Sequence, residues 1–244
     1  MMRTVAIIQA RMGSTRLPGK VLMKLAGETV LGRVVRRVKR ASRVDEVVIA
    51  TTLKPVDGAI VGEAERLGVK SFRGPEEDVL DRYYQAATAC DAEVVVRITS
   101  DCPLVDPELV DGTVEELLTR SAAYASNTLE RSYPRGLDVE VFTRRALWEA
   151  HREARAAYER EHVTPYIFEH PEKFRLASVK GDGDYSRYRW TLDTPQDFAL
   201  LEALCSRLGT AIDFGWREAL AVMEREPGLA GLNAHIQQKA LHRN

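Results

Sequence analysis

The sequence predicts an α/β fold, with a mixed but mostly parallel sheet covered by helices on both faces. Three observations carry that reading: short runs apolar at nearly every position, amphipathic stretches between them, and glycine or proline at many junctions. A strand buried on both faces shows no alternation, because core meets it on either side. VAII at 5–8, EVVIATT at 46–52 and EVVVRIT at 93–99 are of this kind. Between the first two, Val30, Leu31, Val34, Val35 and Val38 recur at helical spacing over 30–40, with arginines and lysines on the other face. Further helices are expected over 57–67, closed by Gly68, and over 77–90, with a short strand at 69–72 between them.

The middle of the chain differs. Strand-like pieces at 123–127 and 137–142 flank the turn-prone Tyr133-Pro134-Arg135-Gly136. Helices are expected at 144–157 and 161–169, strands at 174–180 and 188–192, and helices at 195–207 and 215–225. Little pattern remains over 227–244, which reads as a loosely packed tail. No repeat or linker divides the chain, so 1–244 reads as a single domain.

Composition narrows the function. With 244 residues, 45% of them hydrophobic, the chain can bury a core without disulfides. Lys and Arg number 35 against 36 Asp and Glu, a formal charge of −1 that gives no general attraction to nucleic acid or anionic membrane. Cys90, Cys102 and Cys205 form no C-x-x-C pair, so neither a disulfide framework nor a zinc site is indicated. No apolar run approaches the roughly 20 residues that cross a bilayer. Residues 1–10 lead straight into a charged loop rather than a cleavage site, so a cytoplasmic protein is expected.

Open α/β sheets bind ligands beyond the carboxyl ends of their strands, here just after Ile8, Thr52, Thr99 and Leu192. After the first comes ARMGSTRLPGK at 10–20. Gly13 lets backbone N–H groups approach an anion, Arg11 and Arg16 offer planar forks for phosphate oxygens, and Lys20 adds a point charge. Each such contact is worth on the order of 4 kcal/mol before desolvation. The loop is not a P-loop, since Val21 stands where that motif needs Ser or Thr. Two acids, Asp101 in TSDCPL and Asp193 in TLDTP, end strands and precede a proline. Asp193 by itself suits a helix cap, and the two together suit Mg²⁺, which one or two carboxylates plus substrate phosphates hold. Asp197 reads as a solvent-facing or helix-dipole residue.

The 10–20 loop resembles the signature of cytidylyltransferases that make CMP-activated sugar acids. TSDCPL at 99–104, GPEEDVLDRY at 74–83, EHVTPYI at 161–167 and WTLDTPQDF at 190–198 resemble the branch typified by a spore coat polysaccharide biosynthesis protein. That resemblance implies a nucleotide-diphospho-sugar transferase fold, a GT-A-like three-layer sandwich, with 123–142 as a dimerisation arm. It places Ala10, Arg11, Gly13, Ser14, Arg16 and Lys20 around the triphosphate of CTP, and Asp101 and Asp193 on Mg²⁺. It also brings Ala50, Thr51 and Thr52 to the base or ribose, and Asp81 and Arg82 to the nucleotide end. Arg11, Arg16, Lys20 and Asp101 would carry the chemistry. Enzymes activating Kdo carry Gln-Gly-Asp-Glu-Pro where this chain has Thr99-Ser100-Asp101-Cys102-Pro103, so sugar specificity does not transfer.

The expected reaction is attack by a sugar oxygen on the α-phosphorus of CTP with release of pyrophosphate, serving surface polysaccharide synthesis in a homodimeric enzyme. Arg135 and His162 are candidates for the acceptor pocket, with Tyr133 and Tyr166 as its walls. Two alternatives stand beside this: a glycosyltransferase of the same fold using a nucleotide sugar, and a non-catalytic member of a polysaccharide assembly system. The first usually needs a D-x-D motif, which Asp101-Cys102-Pro103 lacks, and the intact aspartates and loop cations speak against the second.

Overall fold

A computed structural model describes residues 2–209 and 213–238. The chain opens with β1 (Thr4–Gln9), crosses the basic loop to a small hairpin of β2 (Lys24–Leu25) and β3 (Glu28–Thr29), and enters α1 (Val30–Val38). It continues through β4 (Glu46–Thr52), α2 (Gly58–Arg66), β5 (Lys70–Gly74), α3 (Val79–Ala89) and β6 (Val94–Thr99). Then come α4 (Pro107–Thr119), β7 (Tyr124–Ser126), β8 (Glu140–Thr143), α5 (Arg144–Glu153), α6 (Ala157–His162) and α7 (Pro165–Phe168). β9 (Leu176–Ser178), α8 (Pro195–Leu208) and α9 (Trp216–Arg225) complete the order.

Among the described residues the main sheet has seven strands, ordered β5-β4-β1-β6-β8-β7-β9. β5, β4, β1 and β6 run parallel, β8 is antiparallel to both β6 and β7, and β9 is parallel to β7. The mixed, mostly parallel sheet expected from the sequence is therefore present. Alternate residues of β1 supply the two sides: Ala6 and Ile8 pack with α1, α4, α8 and α9, while Val5 and Ile7 pack with α3, α5 and α7. Three layers result. Each fully buried valine or isoleucine contributes roughly 1.5–3 kcal/mol, which is why the apolar runs govern strand placement.

Several local expectations need correction. α4 was not anticipated, although Asp106 caps it by accepting from the N–H groups of Glu108 (2.9 Å) and Leu109 (3.3 Å), and Pro107 suits its first turn. The single helix expected over 161–169 is two, broken at Val163, whose φ of 74° no helix tolerates. The strand at 188–192 reduces to one bridge, Arg135 with Arg189. Its backbone is claimed elsewhere: Leu192 N donates to Asp101 O (2.8 Å) and Leu192 O accepts from Lys20 (2.6 Å).

Residues 123–142, expected as a dimerisation arm, begin and end in β7 and β8, which pair Tyr124 to Phe142 within the main sheet. Nor is the tail loose as far as it is described. A 3₁₀ helix, Pro227–Leu232, packs on α8 and α9, and Asn233 is only 2% exposed. Residues 239–244 of the expected tail lie outside the described residues. No helix among the described residues is long and apolar enough to cross a membrane.

Candidate active site

The basic loop is shaped by backbone bonds and one acid. Met12 O accepts from the N–H groups of Ser14 (2.9 Å) and Gly19 (3.1 Å), and Met12 N donates to Asp57 Oδ1 at 2.7 Å. The other oxygen of Asp57 holds the Thr52 hydroxyl, tying the loop to the end of β4. Gly19 sits at φ 70°, a left-handed conformation that glycine adopts without a Cβ clash, and turns the chain into the 3₁₀ helix Lys20–Leu22. Gly13 has no such requirement: a Cβ there would meet its nearest atom at 3.6 Å, an ordinary contact.

This turn drives Lys20 inward until it is 8% exposed. Its Nζ donates to Asp101 Oδ2 (2.8 Å), Asp193 Oδ1 (2.8 Å) and the carbonyl of Leu192 (2.6 Å). The two acids, 92 positions apart by their numbers (193 minus 101), thus converge on one ammonium. Burial alone pulls the Lys20 pKa down, but the paired carboxylates outweigh it and hold the group above the usual lysine range. Asp193 Oδ2 also accepts from Arg16 Nη2 (2.9 Å) and Arg189 Nη2 (2.7 Å). Burial pushes the Asp193 pKa up, yet Lys20, Arg16 and Arg189 hold it below the usual carboxylate range.

A carboxylate with a depressed folded pKa contributes stability that is present above its unfolded pKa, about 3.9, and is lost as pH falls through the folded value. Melting of the nucleotide-free protein should therefore separate wild type from Asp193→Asn near neutrality, and the gap should close in acid. A gap independent of pH would show that the carboxylate charge is not what Asp193 contributes.

Lys20, Asp101 and Asp193 line a cleft of roughly 1130 Å³ beyond the carboxyl ends of β1 and β6. Ala10, Arg11, Ser14, Arg16 and Arg82 line it too. Arg82 is 2% exposed, with Nε and Nη1 lacking hydrogen-bond partners, and burial lowers its pKa. A buried guanidinium without partners costs free energy unless a ligand meets it. Arg11 reaches Glu76 at 3.3 Å, and Lys54 pairs with the same acid.

Three more arginines, Arg97, Arg131 and Arg135, line the cleft. Arg97 pairs with Glu140, whose Oε1 also accepts from the hydroxyls of Tyr124 and Thr164. Arg131 grips Asp138 with two bonds of 2.6 and 2.8 Å. No carboxylate among the described residues forms an ion pair with Arg135. His162 lines the cleft as well.

Other expected site residues lie elsewhere. Ala50, Thr51 and Thr52 are fully buried in β4 and do not line the cleft, Thr52 being engaged by Asp57. Asp81 pairs with His151 at 2.9 Å, away from the cleft. Tyr133 is core, packed edge-on against Trp216 with centroids 5.2 Å apart, and Tyr166 is bound to Glu153 and Lys173. Neither is a cleft wall. Cys102 is buried, and burial raises its thiol pKa well above normal, as a filler residue requires. Asp197 is fully buried rather than solvent-facing: it binds Arg189 and accepts from the N–H groups of Asp193 (2.9 Å) and Thr194 (3.0 Å).

Sequence reasoning missed Arg97, Arg131, Glu140 and Arg189. One signal was available. Arg97 is the lone charge within VVVRIT at 94–99, a run otherwise read as buried on both faces, where a charge needs a partner.

The family model described as Cytidylyltransferase matches residues 5–225. The chain belongs to the cytidylyltransferase family. It is 39% identical to the uncharacterized protein MJ1063 of Methanocaldococcus jannaschii, covering 98% of both chains. It is 36% identical to the spore coat polysaccharide biosynthesis protein SpsF of Bacillus subtilis, over 92% of this chain and 95% of that one. A solved cytidylyltransferase from Leptospira borgpetersenii superposes with a TM-score of 0.91 at 34% identity, covering 99% of this chain and all of the other. CMP:2-keto-3-deoxy-manno-octonic acid synthetase, solved with CTP, shares the fold at a TM-score of 0.67 and 18% identity, over 85% of this chain and 100% of its own. The chain is accordingly a nucleotidyltransferase enzyme, and its fold is that of the nucleotide-sugar transferases, as the motifs implied.

Proposed function

We propose that this cytidylyltransferase joins CMP from CTP to an anionic sugar, with Mg²⁺, in surface polysaccharide synthesis. The observation that carries the reading is the convergence of Asp101 and Asp193 on one cation position, flanked by Arg11 and Arg16. Oxygen donors of this kind suit Mg²⁺, and the Lys20 ammonium already stands as a cation between them. Among the described residues no group of three or more His, Cys, Asp or Glu could hold a metal, so phosphate oxygens would supply the remaining ligands. When bound, the ion supplies Lewis-acid activation at the α-phosphate.

The chain's own residues do the rest. Arg11, Arg16 and Lys20 neutralise charge building on the departing pyrophosphate, and Arg82 offers unmatched donors to the nucleotide. Arg135, a cleft-lining cation that forms no ion pair with a described carboxylate, receives an anionic group of the acceptor. Arg135→Met should raise KM for the acceptor about tenfold while leaving KM for CTP within about twofold. Equal changes in both would place Arg135 outside acceptor binding. The family likeness extends the reading to a homodimer in the cytoplasm, and light scattering on the purified chain tests the dimer.

The decisive assay is pyrophosphate release on mixing the enzyme with Mg²⁺, CTP and a panel of acidic and neutral sugars. Release with CTP and an acidic sugar is expected, and thermal protection by CTP above that by UTP, GTP, ATP and dTTP should accompany it. Silence with every acidic sugar, or preference for another nucleotide, would overturn the reading.

A further inference from the structure

The segment after α9 reaches back into the catalytic centre. Asn233, buried beneath the 3₁₀ helix, donates from Nδ2 to Arg189 O (2.9 Å) and to Asp197 Oδ1 (2.8 Å). Gln238, on the rim of the cleft, accepts from Arg189 Nη1 at 2.6 Å. Arg189 itself is 7% exposed, and every nitrogen of its guanidinium is engaged. Nε meets Asp197 Oδ1 (2.9 Å), Nη2 meets Asp193 Oδ2 (2.7 Å) and Asp197 Oδ2 (3.2 Å), and Nη1 meets Gln238.

This geometry orients Asp193. Arg189 and Arg16 hold its Oδ2, and the opposite oxygen is thereby turned toward Asp101 and the shared cation position. A carboxylate on an extended segment has a broad χ2 torsion, and one oxygen held by two guanidinium groups, Arg189 and Arg16, narrows it. Asp197 cannot serve as the ion's ligand, because its two oxygens are filled by Arg189, Asn233 and two backbone N–H groups. It acts instead as the fixed anchor on which Arg189 pivots.

We propose that residues 233–238 are a positioning strap for the catalytic centre, acting through Arg189 on Asp193. The proposal rests on the cytidylyltransferase reading, since it takes Asp193 as a ligand of the reaction's divalent cation. The strap touches neither the ion nor the reacting atoms. Its contribution lies in the orientation of one carboxylate, as outer partners of metal ligands do elsewhere. The segment after α9 thereby has a positioning role that its poor sequence pattern hides.

Mn²⁺ binding, followed by electron paramagnetic resonance with CTP present, tests this without relying on turnover. Asn233→Ala and Arg189→Met should each weaken Mn²⁺ by about tenfold, the usual effect of losing an outer partner. Combined, the two changes should weaken it no further than Arg189→Met alone, because they act along one path. Gln238→Ala should weaken it less, and Gln238→Glu, which keeps the acceptor, should restore it. Circular dichroism melts of the single variants guard against simple unfolding. Unchanged Mn²⁺ affinity in folded Asn233→Ala, or additive losses in the double variant, would overturn the strap. If the wild type released no pyrophosphate while the Mn²⁺ pattern held, the strap would survive and the assigned reaction would fail.

Discussion

Lys20→Met should lower turnover by a hundredfold or more, about the loss that follows removal of one charge-stabilising donor. The same variant should bind Mn²⁺ at least about tenfold more tightly than wild type when no nucleotide is present, because a competing cation is gone. The two effects have one origin. The ammonium lies 2.8 Å from both Asp101 and Asp193, in the position a divalent ion would need. Wild type should therefore accept metal readily only with the triphosphate, whose oxygens give Lys20 another partner. Without Lys20 the two carboxylates lose their shared cation, Asp193 keeps Arg16 and Arg189 on one oxygen, and the site is open to metal alone.

That substitution also carries a stability cost that a loop lysine would not have. A surface change typically stays within about 0.5 kcal/mol, whereas removing one member of a buried charged pair costs about 3–5 kcal/mol. At 8% exposure with three acceptors, Lys20 belongs nearer the second case, and about 3 kcal/mol is expected by urea denaturation. Mn²⁺ titration of the folded variant decides the main point. Affinity no better than wild type would mean that Lys20 does not compete for the ion's position.

Gly136→Ala should be the most damaging of the glycine-to-alanine changes in this chain. Gly136 has φ 100°, and a Cβ there would lie 2.5 Å from the carbonyl carbon of Trp190 and 2.6 Å from the nitrogen of Thr191. Both are backbone atoms, and they cannot rotate aside. The neighbouring backbone is pinned as well: Arg135 N donates to Tyr188 O (3.0 Å), and Trp190 N to Arg135 O (2.6 Å). The clash must therefore move the segment that carries Arg189, Thr191 and Asp193. Strain and displacement together should cost about 3 kcal/mol of stability.

A shift of about 1 Å in a catalytic group can cost about a hundredfold, so turnover of Gly136→Ala should fall by that order. Gly68→Ala is the control. Gly68 also has positive φ, at 60°, but a Cβ there meets nothing within 4 Å. It should lose only about 1 kcal/mol from backbone strain and keep its turnover. If both variants kept full turnover, the 134–136 turn would have no hold on the active site.

The central strands were legible because full burial leaves a run with no polar alternation, as in β1, β4 and β6. α4 was legible too and was overlooked, its Asp106-Pro107 start being an ordinary helix signal. The strand expected at 188–192 had the right composition, but its hydrogen bonds go to Asp101, Arg135 and Lys20, which no local pattern announces. The tail misled for the opposite reason. Asn233 and Gln238 look like ordinary surface residues, and only their partners reveal them.

By itself, the sequence determined the sheet's central strands, the basic loop that follows β1, and two aspartates placed where strands end. These are short-range properties, set by burial pattern and by residue type at a chain turn. Tertiary structure alone decided that Asp101 and Asp193 share Lys20, that Arg189 and the segment after α9 orient one of them, and that Thr51, Thr52 and Tyr133 stay out of the cleft. Such pairings depend on where distant segments cross, and hydrogen bonds acting over about 3 Å leave no periodic trace along the chain.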